Sequence, residues 1–540
     1  MNFGWPALTA GKRRVQSVSQ ASRLFALCAG VVILWAAAAI VPATAAPAAS
    51  VSLVIRANAP GPKIDRHIFG QFSEHLGRGI YGGIWVGEDS PIPNTRGIRN
   101  DVVAALKALR VPVVRWPGGC FADEYHWRDG IGPLAQRPVR INTHWGGVTE
   151  PNAFGTHEYF EFLRMIGADA YVTGNLGSGS PQEMADWAEY ITSDAKSTLA
   201  QLRQRNGDER PWRLPFFGIG NEAWGCGGNM RPEYYADLFR RYATFVRDEA
   251  PKGIELVASG AHDDDYHWTD VVMARAGEFL DALSLHYYTI PTGSWKHKGG
   301  AYGFGEDQWA STLAAASRLD EFIRRHSAIM DKYDPKKRVA LFVDEWGTWY
   351  DPEPGSHPGF LYQQNSLRDA VVAALSLDIF ERHADRVRMA NIAQMINVLQ
   401  AMILTRGDKM ILTPTYYVFR MYVPFQDATY LPLTIDTPSY RHGSVVLPAV
   451  DAAAARDTAG TIHLALVNLD PRRAVTVSAR LEGVGAHAAS GEILTANAMD
   501  AHNTFAHPEA VRPEPFSGTG AAGRLVFRLP AKSVAVVAVR

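Results

Sequence analysis

The chain reads as an α/β protein, a (β/α)8 barrel with a C-terminal all-β sandwich domain, and three features of the sequence carry that reading. Between about residues 60 and 415, eight short apolar or β-branched runs alternate with longer amphipathic stretches. Continuous apolar runs mark parallel strands buried on both faces, and each such strand needs a helical crossover to return the chain. Beyond residue 415 the helical periodicity gives way to short alternating strands set apart by Gly, Pro and Asp, the texture of a sandwich. At 540 residues the chain also exceeds one ordinary core, which favours one large domain and one smaller one.

The first element is residues 1–45. Lys12, Arg13, Arg14 and Arg23 precede an uncharged apolar run over 24–41, and Ala43-Thr44-Ala45 supplies a small-residue cleavage site. That order reads as a secretory signal peptide and predicts export to the periplasm or the medium. A retained membrane anchor is the alternative, because the run is nearly long enough to span a bilayer. Cleavage removes four cations and no acid, leaving 50 Lys and Arg against 55 Asp and Glu, a net charge of −5. With no basic stripe, nucleic acid is not an expected partner, and after cleavage neither is a membrane. Of the 3 Cys, Cys120 and Cys226 remain; two cysteines make no disulfide framework, and no C-x-x-C metal spacing exists.

Residues 46–59 follow, and the alternation over 51–56 predicts a strand that joins the C-terminal sheet. The barrel strands are expected at 64–72, 111–116, 170–173, 216–220, 254–258, 282–286, 339–344 and 388–392. Helices between them are expected at 100–109, 181–202, 232–249, 309–331 and 364–382, among others. The same units also build a doubly wound open sheet, the competing architecture. The sandwich, 416–540, takes strands at 462–468, 475–479, 525–529 and 534–539.

In a TIM barrel the chemistry sits just beyond the carboxyl ends of the strands, so the polar residue after each apolar run is the one to read. Strand four ends Phe217-Gly218-Ile219-Gly220 and continues Asn221-Glu222-Ala223-Trp224-Gly225. Strand seven ends at Val343 and continues Asp344-Glu345-Trp346-Gly347. Glycosidic cleavage needs two carboxylates: one protonates the departing oxygen, and the other attacks the anomeric carbon or activates water. A lone Glu after a strand is usually a neighbour of a helix cap or a surface residue. The pair, on strands four and seven, is what points to chemistry. The 14 Trp suit stacking on sugar faces, although most fill a large core.

Longer stretches carry a resemblance. FGQFSEHLGRGIYGGIW (69–85), RWPGGCFADEYHWRDGIGP (115–133), FGTHEYFEF (154–162), GNEAWGCGGNM (220–230), SLHYYT (284–289), DEWGTWY (344–350) and ANIAQMINVLQ (390–400) run in order over the barrel. They resemble the α-L-arabinofuranosidases of glycoside hydrolase family 51, in the clan of retaining barrel glycosidases; the C-terminal part resembles the family's accessory domain more weakly. The resemblance implies an exo-acting enzyme that removes terminal α-L-arabinofuranosyl residues from arabinan, arabinoxylan or derived oligosaccharides with net retention. It implies Glu222 as acid/base and Glu345 as nucleophile. Glu74, Asn221, Tyr288 and Gln394 would hydrogen-bond the arabinofuranose, and Trp346 stands beside the nucleophile as a further sugar-binding candidate. It implies no metal or organic cofactor, and self-association into a homo-oligomer.

The residues themselves leave alternatives. Asn221 offers a sugar hydroxyl both a donor and an acceptor. Tyr288 either orients the nucleophile or sits in the core, Gln394 and Asn397 are also read as buried amides, and Glu74 as an ion-pair partner of Arg115 or Arg78. Many family members carry Asn where this chain has Cys120, and a thiol is a poor donor, so that sugar contact is weakened. Cys120 and Cys226 are either a disulfide at the barrel mouth or two small buried thiols. His75, His126, His144 and His286 lie near strand ends without metal-ligand spacing, and read as sugar-binding or structural. The rival functions are an endo-acting barrel glycanase, such as an endoglucanase or xylanase, and a non-catalytic carbohydrate-binding protein.

Overall fold

The computed structural model describes residues 49–249 and 253–540. Eight parallel strands close into a barrel: β1 (Gly70–Phe72), β2 (Val113–Trp116), β3 (Asp169–Gly174), β4 (Phe216–Ile219), β5 (Glu255–His262), β6 (Ala282–Thr289), β7 (Ala340–Thr348) and β8 (Val387–Ala393). Closure is direct, with Asn391 opposite Gly70 and Ala393 opposite Phe72; the open-sheet alternative has no such pairing. All four residues of β2 and of β4 are buried, as double-faced coverage requires. Tyr171, Phe216, Phe342 and Met389 help fill the barrel interior in a core of their own.

Each strand is followed by a helix: α1 (Asn100–Ala108), α2 (Thr156–Ile166), α3 (Pro181–Thr192), α4 (Pro232–Glu249), α5 (Tyr266–Ala276), α6 (Glu306–Tyr333), α7 (Leu367–Arg382) and α8 (Pro414–Tyr422). Local chemistry sets their ends. Ser180 accepts from Glu183 N and Pro181 opens α3, while Gly167 closes α2 at φ 80°, a left-handed cap. α7 is buried along almost its whole length because the barrel covers one side and the β domain the other.

Three boundaries differ from expectation in ways that matter for the site, the start of β1 and the ends of β6 and β7. The first strand is only Gly70–Phe72, because Asp65 accepts from His67 N and starts a 3-10 turn over Arg66–Phe69. β6 and β7 run on past their expected ends to Thr289 and Thr348, with register shifts between Ser284 and His286 and between Val343 and Trp346. Glu345 therefore projects from a strand rather than a loop.

α8 crosses the domain boundary expected at residue 415, and the β domain begins at Thr429. Its hydrogen bonding is continuous over ten strands, including Ala49–Ile55, which pairs in parallel with Val475–Leu481 and antiparallel with Leu433–Asp436. Alternation along one strand shows how this sheet attaches to the barrel. Ala452 and Ala454 face the β domain's own core with Val51, Leu464 and Val477. Ala453 and Ala455 face the other way and join the core shared with the barrel helices.

Candidate active site

The carboxyl ends of the strands surround a cleft of roughly 290 Å3 lined by Glu74, Cys120, Glu222, His286, Tyr288, Glu345 and Gln394, with Trp145, Trp224, Trp295 and Trp349 around them. Glu222 and Glu345 face each other across it, each with a carboxylate oxygen within 4.8 Å of the other's and of a nitrogen of His286. Glu345 is 5% exposed. Glu222 stands at φ 39° just past Gly220 at φ 78°, a left-handed turn that lifts its side chain off the end of β4; such a conformation in a non-glycine residue is costly and is held by its surroundings.

Each oxygen of Glu345 has a donor. Arg115 Nη1 donates to Oε1 at 2.7 Å and the Tyr288 hydroxyl to Oε2 at 2.9 Å. Burial, and then the charge of Glu345, push the Tyr288 phenol well above its ordinary value, so it stays a donor. Burial lowers Arg115, but the charges of Asp344 and Glu345 more than offset this and leave it raised. The other arm of Arg115, Nη2, donates to Asn221 Oδ1 at 2.7 Å, which commits the Asn221 carbonyl and leaves its amide NH2 facing Cys226 Sγ at 3.8 Å. One guanidinium thus ties the tip of β4 to the tip of β7, the planar two-armed geometry that suits arginine. Gly119 makes room for it: a Cβ there would come 2.7 Å from Glu345 Oε1.

Glu74 pairs with neither Arg115 nor Arg78. Its Oε1 accepts from Gly119 N and Phe121 N, both at 3.0 Å, and its Oε2 from Gln394 Nε2 at 3.1 Å. Gln394 Oε1 in turn accepts from Glu74 N at 3.1 Å, so the two residues form one unit at the closure between β1 and β8. Burial, reinforced by the charge of Glu345, pushes the Glu74 carboxyl up to about 7. Asn397 is elsewhere, a buried amide donating to Arg78 O and Thr405.

Cys120 and Cys226 form a disulfide, with Cα atoms 5.5 Å apart, that joins the segment after β2 to the segment after β4. The Cys226 sulfur lies 3.6 Å from Glu222 Oε2. Beside it Asp123, which sequence reasoning passed over, accepts from Leu176 N, Gly177 N and Asn221 N at 2.8, 2.7 and 2.9 Å. Burial pushes its carboxyl up to about 7 against those three donors.

Trp346 corrects an expectation. Alternation along β7 turns it to the opposite side from Glu345, where it is buried against Phe380 and Phe419 in the helical layer. The cleft tryptophan of this segment is Trp349, whose ring packs edge-on to Tyr288 and Trp295. His286 and Asp344 were also underrated. Both sit in the carboxylate cluster, His286 near the end of β6 and Asp344 one residue before Glu345, and a titratable residue where an apolar run stops was the available signal. His75 is structural: Nδ1 pairs with Glu150 at 2.9 Å and Nε2 accepts from the Trp116 indole at 3.1 Å.

Among the described residues, two groups bring metal-type donors within 4.8 Å of one another: Glu222, His286 and Glu345, and Cys120, Glu222 and Cys226. In the first group the imidazole nitrogen is already turned to the carboxylates, 2.9 Å from Glu222 Oε1 and 3.6 Å from Glu345 Oε2. The whole arrangement offers a proton donor, a nucleophile and fixed hydrogen-bond donors around a cavity of monosaccharide size.

Comparison with known proteins agrees. Residues 105–300 match the family described as the α-L-arabinofuranosidase 1 domain, and residues 344–533 the α-L-arabinofuranosidase C-terminal domain. An intracellular exo-α-L-arabinofuranosidase of Bacteroides ovatus is 52% identical over 488 residues, covering 90% of this chain and 95% of that one. A crystal structure of the glycoside hydrolase family 51 arabinofuranosidase of Xanthomonas axonopodis pv. citri superposes with a TM-score of 0.90 at 57% identity, over 91% of this chain and all of that one. The Thermotoga maritima α-L-arabinofuranosidase in complex with arabinose gives 0.81 at 32% identity, over 90% and 99%. These relatives also correct the export reading. Those from Bacteroides ovatus, Streptomyces lividans, Halalkalibacterium halodurans and Bifidobacterium longum are described as intracellular enzymes, and the segment 1–45 on which that reading rested lies outside the described residues.

Proposed function

The chain belongs to the α-L-arabinofuranosidases of glycoside hydrolase family 51, and from that premise we propose that it removes terminal α-L-arabinofuranosyl residues one at a time, with retention, using Glu345 as nucleophile and Glu222 as acid/base. Arabinan, arabinoxylan and their oligosaccharides are the substrates of this reading. The observation that carries it is that one oxygen of each carboxylate lies within 4.8 Å of one of the other's. Direct attack by a carboxylate needs a separation of about 5 to 5.5 Å, whereas inversion leaves about 6.5 to 9.5 Å for a water.

In the first step a lone pair of Glu345 attacks the anomeric carbon while Glu222 gives its proton to the leaving oxygen. A covalent arabinosyl ester forms and the aglycone departs. Glu222, now ionised, takes a proton from water, whose oxygen displaces Glu345 and releases the sugar. Arg115 and Tyr288 hold Glu345 on line; in this reading the Glu74–Gln394 unit, which lines the cleft, grips the ring hydroxyls, and Asn221 steadies the segment that carries Glu222. Because the acid serves the leaving group, the aglycone lies on the Glu222 side, where Trp224 follows with its ring 4.3 Å from that of His262; the 55% exposed Trp295 packs against Trp349 at the rim. Proton NMR of a fresh digest of 4-nitrophenyl α-L-arabinofuranoside tests the reading. The first sugar to appear is the α anomer; the β anomer first rejects it.

A further inference from the structure

We infer that the Cys120–Cys226 pair, once reduced, forms with Glu222 an inhibitory site for a thiophilic divalent cation such as zinc. The pair joins two segments at the barrel mouth, and Cys120 lines the cleft. The two sulfurs and a Glu222 oxygen already lie within 4.8 Å of one another, all three residues are partly exposed, and Cys120 and Glu222 line the cleft. A tetrahedral zinc with sulfur at about 2.3 Å and oxygen at about 2.0 to 2.2 Å sets its donors roughly 3.5 to 3.8 Å apart. Cys226 Sγ stands 3.6 Å from Glu222 Oε2, so that edge of the tetrahedron exists before any metal arrives. The sulfur–sulfur edge must open, and breaking the disulfide opens it; the Cys120–Glu222 edge is already under 4.8 Å. Two thiolates and one carboxylate, with a fourth position for water, are a donor set that zinc accepts. Relatives of this chain are described as intracellular, and cytosolic thiol pools keep most cysteine pairs reduced.

The chemistry balances. A dithiol such as dithiothreitol gives up two electrons and two protons, becoming a cyclic disulfide, while Cys120 and Cys226 become thiols. Zinc then displaces both thiol protons to solvent, forms two Zn–S bonds and takes a carboxylate oxygen of Glu222. Glu222 can then neither carry a proton to the leaving group nor accept one from water. The inhibitory half of the inference rests on the reading of Glu222 as acid/base, whereas the metal site does not.

The experiment uses the full chain, once oxidised and once reduced with dithiothreitol that is then removed without air. Each form is titrated with zinc chloride, and with cobalt(II) as a spectroscopic stand-in. The reduced form is expected to bind one ion per chain with a thiolate-to-cobalt charge-transfer absorption. Its hydrolysis of 4-nitrophenyl α-L-arabinofuranoside falls by about 100-fold, the contribution of a general acid/base, and returns with EDTA. The oxidised form and Cys226→Ser, each measured against its own zinc-free rate, are expected to be insensitive; the oxidised form serves alone if the variant does not fold. No thiolate absorption in the reduced form, or equal zinc inhibition of the oxidised form, overturns the site. Thiolate absorption with an unchanged rate overturns the inhibitory site, because the metal then sits on the two thiolates without taking Glu222 out of catalysis.

Discussion

His286 Nδ1 lies 2.9 Å from Glu222 Oε1. The same nitrogen is 3.6 Å from Glu345 Oε2, and Nε2 is 3.3 Å from Asp344 Oδ1. Burial pushes the ring toward neutrality. The charge of Glu345, the hydrogen bonds to Asp344 and Glu222 and the charge of Asp344 outweigh it and leave the imidazole raised to about 10. A buried imidazolium therefore stands between the two reacting carboxylates throughout the neutral range.

Replacing that cation changes the pH dependence of the reaction. In His286→Gln the positive charge between the two carboxylates is gone, and the alkaline limb of the kcat/KM profile moves up. The peak falls about 10- to 100-fold as the orienting bond is lost. An unmoved alkaline limb would show that His286 does not act through Glu222.

Asp123→Ala leaves the N–H groups of Leu176, Gly177 and Asn221 without acceptors in a buried place. The expected cost is about 3 kcal/mol in denaturant unfolding. Because Asn221 carries Glu222 with it, kcat should fall more than KM rises. A loss of stability with unchanged kcat would make Asp123 a structural staple only.

Trp295→Ala tests where the leaving group sits. Hydrolysis of arabino-oligosaccharides should lose about 5- to 30-fold in kcat/KM, since an aromatic stack contributes on the order of 1 to 2 kcal/mol. Methyl α-L-arabinofuranoside, which has no second ring, should be hydrolysed as before. Equal losses on both substrates would place Trp295 against the arabinose instead.

His326 is buried, accepts from the Thr269 hydroxyl at Nδ1 and donates from Nε2 to Asp263 O at the cleft rim. Burial lowers it from 6.5 to about 4. The folded protein thus keeps the ring neutral where the unfolded chain has protonated it. The associated stability is complete above pH 6.5 and is lost as pH falls through 4, on the order of 3 kcal/mol. In His326→Gln the difference in Tm between pH 7 and pH 4.5 should shrink; an unchanged difference would contradict the assignment.

What could be read from the sequence follows from what strands impose. Glu222 and Glu345 were visible because a barrel strand is an apolar run and its first polar successor marks the open end. β7 runs past the end its apolar run suggests, and alternation along it turns Trp346 to the opposite side from Glu345, a consequence legible only once the strand's true length is known. Trp295 lies on the long stretch before α6, where no periodicity fixes direction. Arg115 and Asp344 looked like ordinary charges because their roles depend on partners 229 to 230 positions away. The cysteine pair could be narrowed to two states, and only the spacing across the mouth selects the disulfide.

The central claim is that Glu345 carries the sugar while Glu222 moves the proton. Glu222→Ala incubated with a dinitrophenyl α-L-arabinofuranoside isolates the first step, because so good a leaving group departs without acid help and the missing base slows release. Intact mass spectrometry should then find the chain heavier by one arabinosyl residue, and peptide mapping should locate it on Glu345. An adduct on another residue, or steady turnover with no adduct and an inverted product, would contradict the account.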